Sequence, residues 1–294
     1  MRLTKSEIQS FYKNGFAGPF KLYDPNDAKT LLRAIRKNNA DRSNIIFDNE
    51  VNYDRHFDIP ELAVHICRKE IVKRIQSLFG NDIFCWRTEF FPKFPGSAGT
   101  EWHQVANYQY ANGTPMIESM TENDDLIDLT VWTTFTDATK ENGCMKFLPG
   151  SHKRKYYDES KPVDIGKKVG YQSIKSDTGF FGYQFSEFKI DPKWEPNENE
   201  AVSMEMQAGE FVIFTAKCVH ASHANITDRF TRFAISSRYV PTHVRVYPNQ
   251  EKFFAHGSLF DLNKYGCVLV SGKDKYKHNR VRDMDNHNKK FTVL

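Results

Sequence analysis

The chain has 294 residues, 39% apolar and 27% charged, and its 24 Phe, 13 Tyr and 4 Trp exclude a disordered or low-complexity chain. A net charge of +4, from 41 basic and 37 acidic residues, is too small for a dedicated nucleic-acid binder, and apolar runs such as Phe211-Val212-Ile213-Phe214 fall far short of the roughly 20 residues that span a bilayer. No signal-peptide core opens the sequence, and the five cysteines (Cys67, Cys85, Cys144, Cys218, Cys267) form an odd set without a C-x-x-C pair, so the chain reads as a soluble, cytoplasmic protein with reduced thiols.

The first 80 residues read as helical. Thr4-x-x-Glu7 has the form of a capping box, with Ile8, Phe11 and Tyr12 following on one face and Asn14-Gly15 ending the helix. Asp24-Pro25 with Asp27 starts a second helix, in which Ala28, Leu31, Leu32 and Ile35 recur at helical spacing. The spacing predicts a third helix from Pro60 to Gly80 with Leu62, Ile66, Ile71, Ile75 and Leu78 inward.

After Asn81 the apolar period shortens. Ile83 to Phe91, Leu129 to Phe135, Val202 to Met206, Phe211 to Thr215 and Phe233 to Val240 read as short strands, separated by turns at Asn142-Gly143, Pro149-Gly150 and Ala208-Gly209. Lys153 to Glu200 is polar but carries Tyr156, Tyr157, Phe180, Phe181 and Tyr183, which suits an ordered, lid-like insertion (153–200). These elements predict a mainly β chain with some α, a single domain over 1–294 in which a helical layer (1–80) packs outside a β-sandwich or jelly-roll core (81–294). Ser271 to Leu294 holds seven Lys/Arg and three Asp, a surplus equal to the whole net charge; a solvated tail is the ordinary reading of such a run.

No G-x-S-x-G elbow, glycine-rich phosphate loop or cysteine in a nucleophile setting is present, which removes those enzyme classes. Two histidines stand at expected strand edges, His103 in Glu101-Trp102-His103-Gln104-Val105 and His220 in Cys218-Val219-His220-Ala221-Ser222. Arg232 and Arg238 follow on the next expected strand, six residues apart and so on one face. Imidazoles suit iron, zinc or copper and a guanidinium matches a carboxylate, so this set fits a metal with a carboxylate-bearing co-substrate. His223 leaves a three-histidine zinc site open, and each histidine taken alone also has an ordinary structural reading.

Several stretches carry a resemblance: Asn14-Gly15-Phe16 with Gly18-Pro19-Phe20, Asn52-Tyr53-Asp54-Arg55-His56, Cys85-Trp86-Arg87-Thr88-Glu89-Phe90-Phe91-Pro92-Lys93, Trp102-His103-Gln104, Thr130-Val131-Trp132-Thr133, Phe147-Leu148-Pro149-Gly150 and Ser237-Arg238-Tyr239-Val240-Pro241. With them the chain resembles the phytanoyl-CoA dioxygenase superfamily of non-haem iron, 2-oxoglutarate enzymes, and within it the aliphatic halogenases of secondary-metabolite (antibiotic) biosynthesis that act on carrier-protein-bound amino acids. The resemblance implies a double-stranded β-helix of the cupin type, Fe(II), 2-oxoglutarate and chloride as cofactors with O2 as co-substrate, and an aminoacyl-carrier (thiolation) domain as partner. Carried over by position, it makes His103 and His220 the iron ligands, Arg232 the clamp on the distal carboxylate of 2-oxoglutarate, Thr130 and Trp132 lining of the cofactor pocket, and Arg238 a neighbour of the halide. Hydroxylases of this superfamily have His-x-Asp at the first ligand, but here that carboxylate position is Val105, which leaves a coordination position for chloride. The halogenases carry Ala or Gly there, so valine adds methyl groups beside the expected halide. A hydroxylase whose third ligand is water or a displaced carboxylate such as Glu101, and a non-catalytic paralogue, are the alternative readings.

Overall fold

The structure, a computed structural model, describes residues 1–48, 51–121, 124–161, 183–256 and 258–294; Phe180 and Phe181 of the expected lid lie outside them. The capping box forms at the start of α1 (Lys5–Asn14): Thr4 Oγ1 accepts the Glu7 N–H at 3.2 Å, and the Glu7 carboxylate accepts the Thr4 N–H at 2.6 Å. Phe11 is buried, whereas Tyr12, expected on the same face, is 50% exposed because the next residue turns about 100° round the helix. Strand β1 (Phe16–Lys21) was not expected from the sequence, since Gly18-Pro19 interrupts its apolar pattern. It lies at a sheet edge, where a missing N–H is tolerated, with a register shift between Ala17 and Phe20.

Helix α2 (Pro25–Asn39) starts where expected, but Asp24 makes no cap; its carboxylate pairs with Lys21 at 2.5 Å instead. The single helix expected over Pro60 to Gly80 is two, α3 (Pro60–Ile66) and α4 (Lys69–Phe79). The cause is the five-residue step from Ile66 to Ile71, which on one continuous helix would set them about 140° apart. A break at Cys67 and Arg68 lets both side chains be fully buried.

Among the described residues the remaining strands are β2 (Ile83–Lys93), β3 (Thr100–His103), β4 (Ile117–Ser119), β5 (Leu129–Thr134), β6 (Met145–Phe147), β7 (Val202–Met204), β8 (Glu210–Phe214), β9 (His220–Ser222), β10 (Arg232–Pro241), β11 (Val244–Val246), β12 (Lys252–Ala255), β13 (Ser258–Asp261) and β14 (Val268–Ser271). They form an antiparallel six-stranded sheet, β1-β8-β5-β10-β2-β14, a four-stranded sheet, β3-β9-β6-β7, and two small pairs, β4 with β11 and β12 with β13. This is the mainly β jelly roll with helices outside it that the sequence predicts.

Alternation along the central strands assigns each residue to a layer. Leu129 and Val131 of β5 and Phe211 and Ile213 of β8 join the core shared with α4, where Ile71, Val72 and Ile75 are buried. Trp132, Val212 and Phe214 face the other way and pack with Met145, Phe147 and Met204 of the smaller sheet. On β2 and β10 the inward set is Arg87, Glu89 and Phe91 with Arg232, Ser236 and Arg238, so charged groups of both strands enter the space between the sheets. The basic C-terminal segment is not a free tail: the Gly272 N–H bonds Leu294 O at 3.0 Å, the Asn286 N–H bonds Phe57 O at 2.6 Å, and Phe291 is buried in the main core. No helix among the described residues is long and apolar enough to cross a membrane.

Gly209 shows how tightly the helical layer is tied on. Its φ is +91°, its carbonyl accepts the N–H groups of Leu22 and Tyr23 at 2.9 and 3.0 Å, and an added Cβ would lie 2.4 Å from Tyr23 O. Gly209→Ala should therefore destabilise the fold by about 2 kcal/mol or more in urea unfolding. An unchanged midpoint would show that this turn has room to relax.

Candidate active site

The site grows from one pairing between two short strands. His103 of β3 and His220 of β9 are direct cross-strand partners, and their ring centroids are 4.1 Å apart. The register shifts between Thr100 and His103, so the pairing at the histidines is set by a local irregularity rather than by a uniform ladder. In each ring Nδ1 lies on a backbone carbonyl, at 2.9 Å on Glu101 O for His103 and 2.7 Å on Cys218 O for His220. A carbonyl only accepts, so both Nδ1 atoms carry the proton and both lone pairs sit on Nε2.

Both rings are neutral at physiological pH. Burial pulls the His103 pKa down to about 4 against the opposing effect of the Glu101 carbonyl, and it holds His220 well below the ordinary value, with His103 as the second cause. Neutral imidazoles with oriented Nε2 lone pairs are what a divalent transition metal requires, so this donor set fits iron. Phe185 stacks on His103 at 4.2 Å and Phe214 lies 5.0 Å from His220, which fixes the ring planes.

The third donors considered from the sequence go elsewhere. His223 Nε2 lies 2.9 Å from Ser203 Oγ, and the Glu101 carboxylate accepts the Ser186 N–H at 3.0 Å. Among the described residues no group of three His, Cys, Asp or Glu is arranged to hold a metal. Val105 is half-buried, donates its N–H to Ala216 O at 2.9 Å and lines the same cavity as the two histidines. That cavity encloses about 890 Å³ of empty space, a figure that includes its open mouth.

Two arginines on β10 enter the cavity in different electrostatic states. Arg232 is buried, donates from Nε to Gly143 O at 3.1 Å and from Nη1 to Phe91 O at 2.8 Å, and lies over the Trp132 ring at 4.9 Å. No carboxylate among the described residues pairs with it, and burial lowers its pKa to about 10, opposed by the Cys144 thiol. A desolvated guanidinium that lines a cavity, with no carboxylate partner among the described residues, has the chemistry to pair with a ligand carboxylate.

Arg238 sits six residues further along β10, roughly 20 Å away at strand rise. Its Nη2 and Nε donate to Glu89 at 2.6 and 3.1 Å, and its Nη1 donates to Tyr108 Oη at 2.8 Å and Thr130 Oγ1 at 3.0 Å. Burial alone would push the Glu89 carboxyl up, but Arg238 and Arg87 beside it hold it below the usual range. Arg238 is thus neutralised by Glu89, and what it offers the cavity is a fixed hydrogen-bond network that includes Thr130.

Sequence reasoning gave Glu89 and Tyr108 no role. Arg87 and Glu89 lie two residues apart on one face of a strand that opens with the apolar run Ile83 to Trp86, a signal that points to a buried ionic network. Tyr108 lies in an irregular run where no periodicity marks it. The far wall of the cavity comes from Tyr53, Tyr183 and His256, with Tyr53 Oη 2.7 Å from His256 Nε2.

Comparison with known proteins identifies the family and the fold. The family model described as Phytanoyl-CoA dioxygenase (PhyH) matches residues 11–234. Human peroxisomal phytanoyl-CoA dioxygenase is 30% identical over 180 residues, covering 61% of this chain and 46% of that protein. A probable alpha-ketoglutarate-dependent hypophosphite dioxygenase of Stutzerimonas stutzeri is 28% identical over 167 residues, covering 55% and 48%. The chain therefore spans about half the length of the curated relatives it matches. The solved structure of CytC3 with Fe(II) and alpha-ketoglutarate is 33% identical, covers 100% of this chain and 97% of that one, and superposes with a TM-score of 0.78. Fold and family place the chain in the class of non-haem iron, 2-oxoglutarate-dependent dioxygenases. Within that class it belongs to the phytanoyl-CoA dioxygenase family.

The donor geometry separates three kinds of variant. His103→Ala and His220→Ala should lose bound iron in metal analysis, and His223→Ala should retain it. Arg232→Ala should keep iron yet bind 2-oxoglutarate about tenfold or more weakly in anaerobic titration, the loss of one charge-assisted pair. Iron loss in His223→Ala would instead support a three-histidine centre.

Proposed function

We propose that the chain is an Fe(II)- and 2-oxoglutarate-dependent halogenase that chlorinates an unactivated aliphatic carbon of an amino acid tethered to a carrier protein. The observation that carries this reading is Val105 at the position where the superfamily's hydroxylases have a carboxylate, beside a histidine pair that no described carboxylate completes. Bound iron, with 2-oxoglutarate and O2, supplies the oxidising power that removes a hydrogen atom from such a carbon.

The chain's own residues divide the remaining work. His103 and His220 hold the metal through Nε2, with their rings locked by Glu101 O and Cys218 O. Arg232, with Trp132 against its face, takes the distal carboxylate of 2-oxoglutarate and so gives the buried guanidinium its missing counter-ion. Val105 has no lone pair and leaves its position to an exogenous anion. Tyr108, Thr130 and Arg238 form a hydrogen-bonded edge near that position, while the Glu89 contact keeps Arg238 from swinging into the cavity as a free cation. Tyr110, Tyr183 and Phe185 restrict water around the reacting carbon.

The tethered substrate follows from the resemblance, and the surface is compatible with it. Lys273, Lys275 and Lys277 are exposed, although Lys275 pairs with Asp82 at 2.5 Å, and acidic carrier domains would be steered by such a strip. Neutralising the three lysines should slow turnover on a carrier-bound substrate mainly at low salt, by lowering the association rate. An unchanged salt dependence would remove this segment from the docking surface.

The direct test of halogenation is anion binding. Chloride should perturb the visible band of the anaerobic Fe(II)–2-oxoglutarate complex, Val105→Ala should bind it at least as tightly, and Val105→Asp should bind none and only hydroxylate. A wild type whose band ignores chloride and which hydroxylates its substrate efficiently in halide-free buffer would establish a hydroxylase instead.

A further inference from the structure

Glu159 is a buried carboxylate that the site described so far does not use. Its Oε1 accepts the N–H of Ala106 at 3.1 Å and of Asn107 at 2.5 Å, and its Oε2 accepts the N–H of Gln109 at 3.3 Å. No lysine or arginine among the described residues forms an ion pair with it; burial raises its pKa, and the three backbone N–H groups oppose that shift more than the Lys155 charge does.

Those amides belong to the run that follows His103 directly. Its beginning is fixed through Gln104, whose Nε2 donates to Arg154 O and Lys217 O at 2.7 and 2.6 Å and whose Oε1 accepts the Tyr156 N–H at 2.9 Å. Its end is fixed by Tyr110, which donates to Gln104 O at 2.7 Å. Between them Tyr108 has φ +60°, a left-handed conformation that costs a bulky residue about 1 kcal/mol or more and persists only where the surroundings impose it. Glu159 grips the amides on both sides of Tyr108. The Tyr108 hydroxyl in turn meets Arg238 Nη1 and donates to Asp128 at 3.2 Å.

We propose that Glu159 is a positioning residue of the active site, which imposes the left-handed turn at Tyr108 and thereby sets Val105 and the Tyr108–Arg238 contact beside the anion position. The proposal rests on the halogenase reading for its consequence, though not for the geometry. Without the carboxylate, three partly buried N–H groups lose their acceptor, Tyr108 relaxes toward negative φ, and its hydroxyl leaves Arg238.

The test combines Glu159→Ala, Glu159→Gln and Tyr108→Phe. In metal-free protein, amide exchange over 106–109 should accelerate in Glu159→Ala and less in Glu159→Gln, which keeps one accepting oxygen. Iron content should match wild type in both, because β3 and β9 hold the histidines. In the anaerobic Fe(II)–2-oxoglutarate complex, chloride should bind about tenfold more weakly to Glu159→Ala, with Glu159→Gln between. Tyr108→Phe should weaken chloride too, and the double variant should show less than the sum of the two losses, since both act through one hydroxyl. Unchanged exchange in Glu159→Ala, unchanged chloride affinity despite faster exchange, or fully additive losses would each overturn the proposal. If wild type itself ignores chloride, the halogenase reading fails, and the exchange result alone still decides whether Glu159 holds the turn.

Discussion

The register that sets His103 opposite His220 is the constraint on which the rest of the site depends. Side chains alternate along a strand, so a slip of one residue in either partner would send one imidazole to the far face of its sheet. The irregularity between Thr100 and His103 is what brings two rings from distant parts of the chain to a 4.1 Å centroid separation. Once there, each ring is held by the carbonyl two residues before it, Glu101 O or Cys218 O, so the same local device is used on both strands.

The second constraint is how much uncompensated charge the interior carries. Arg87, Glu89 and Arg238 form a buried set in which one carboxylate serves two guanidiniums, with Arg87 also packed over the Tyr53 and Trp86 rings at 4.3 and 4.8 Å. Arg232, at the other end of the same strand face, meets carbonyls and an indole, and no carboxylate among the described residues pairs with it. Arg238 is thus neutralised within the protein while Arg232 has no carboxylate partner among the described residues, a difference that their six-residue spacing on one strand face does not reveal. The cavity is electrostatically incomplete in a directed way, and a dicarboxylate co-substrate would complete it.

Much of this was legible because it follows from short-range rules. Period-two alternation located β2, β5 and β10, six-residue spacing put Arg232 and Arg238 on one face, and the Thr4 capping box marked α1. What was missed depends on contacts distant in sequence or on broken patterns. Strand β1 is hidden by Gly18-Pro19, the break between α3 and α4 shows only as one five-residue step, and Glu159 meets Asn107 across 52 residues with no pattern to announce it. The departure at Val105 was visible as a single letter, but its meaning required knowing that neither Glu101 nor His223 turns toward the histidine pair.

In the halogenase reading proposed above, the histidine pair leaves one coordination position to an exogenous halide. X-ray absorption at the iron edge of the anaerobic Fe(II)–2-oxoglutarate complex prepared with bromide tests it most directly, because bromine scatters far more strongly than nitrogen or oxygen. Wild type should show a heavy scatterer bound directly to iron that disappears in Val105→Asp. A first shell of nitrogen and oxygen alone in wild type, unaltered by bromide, would contradict it.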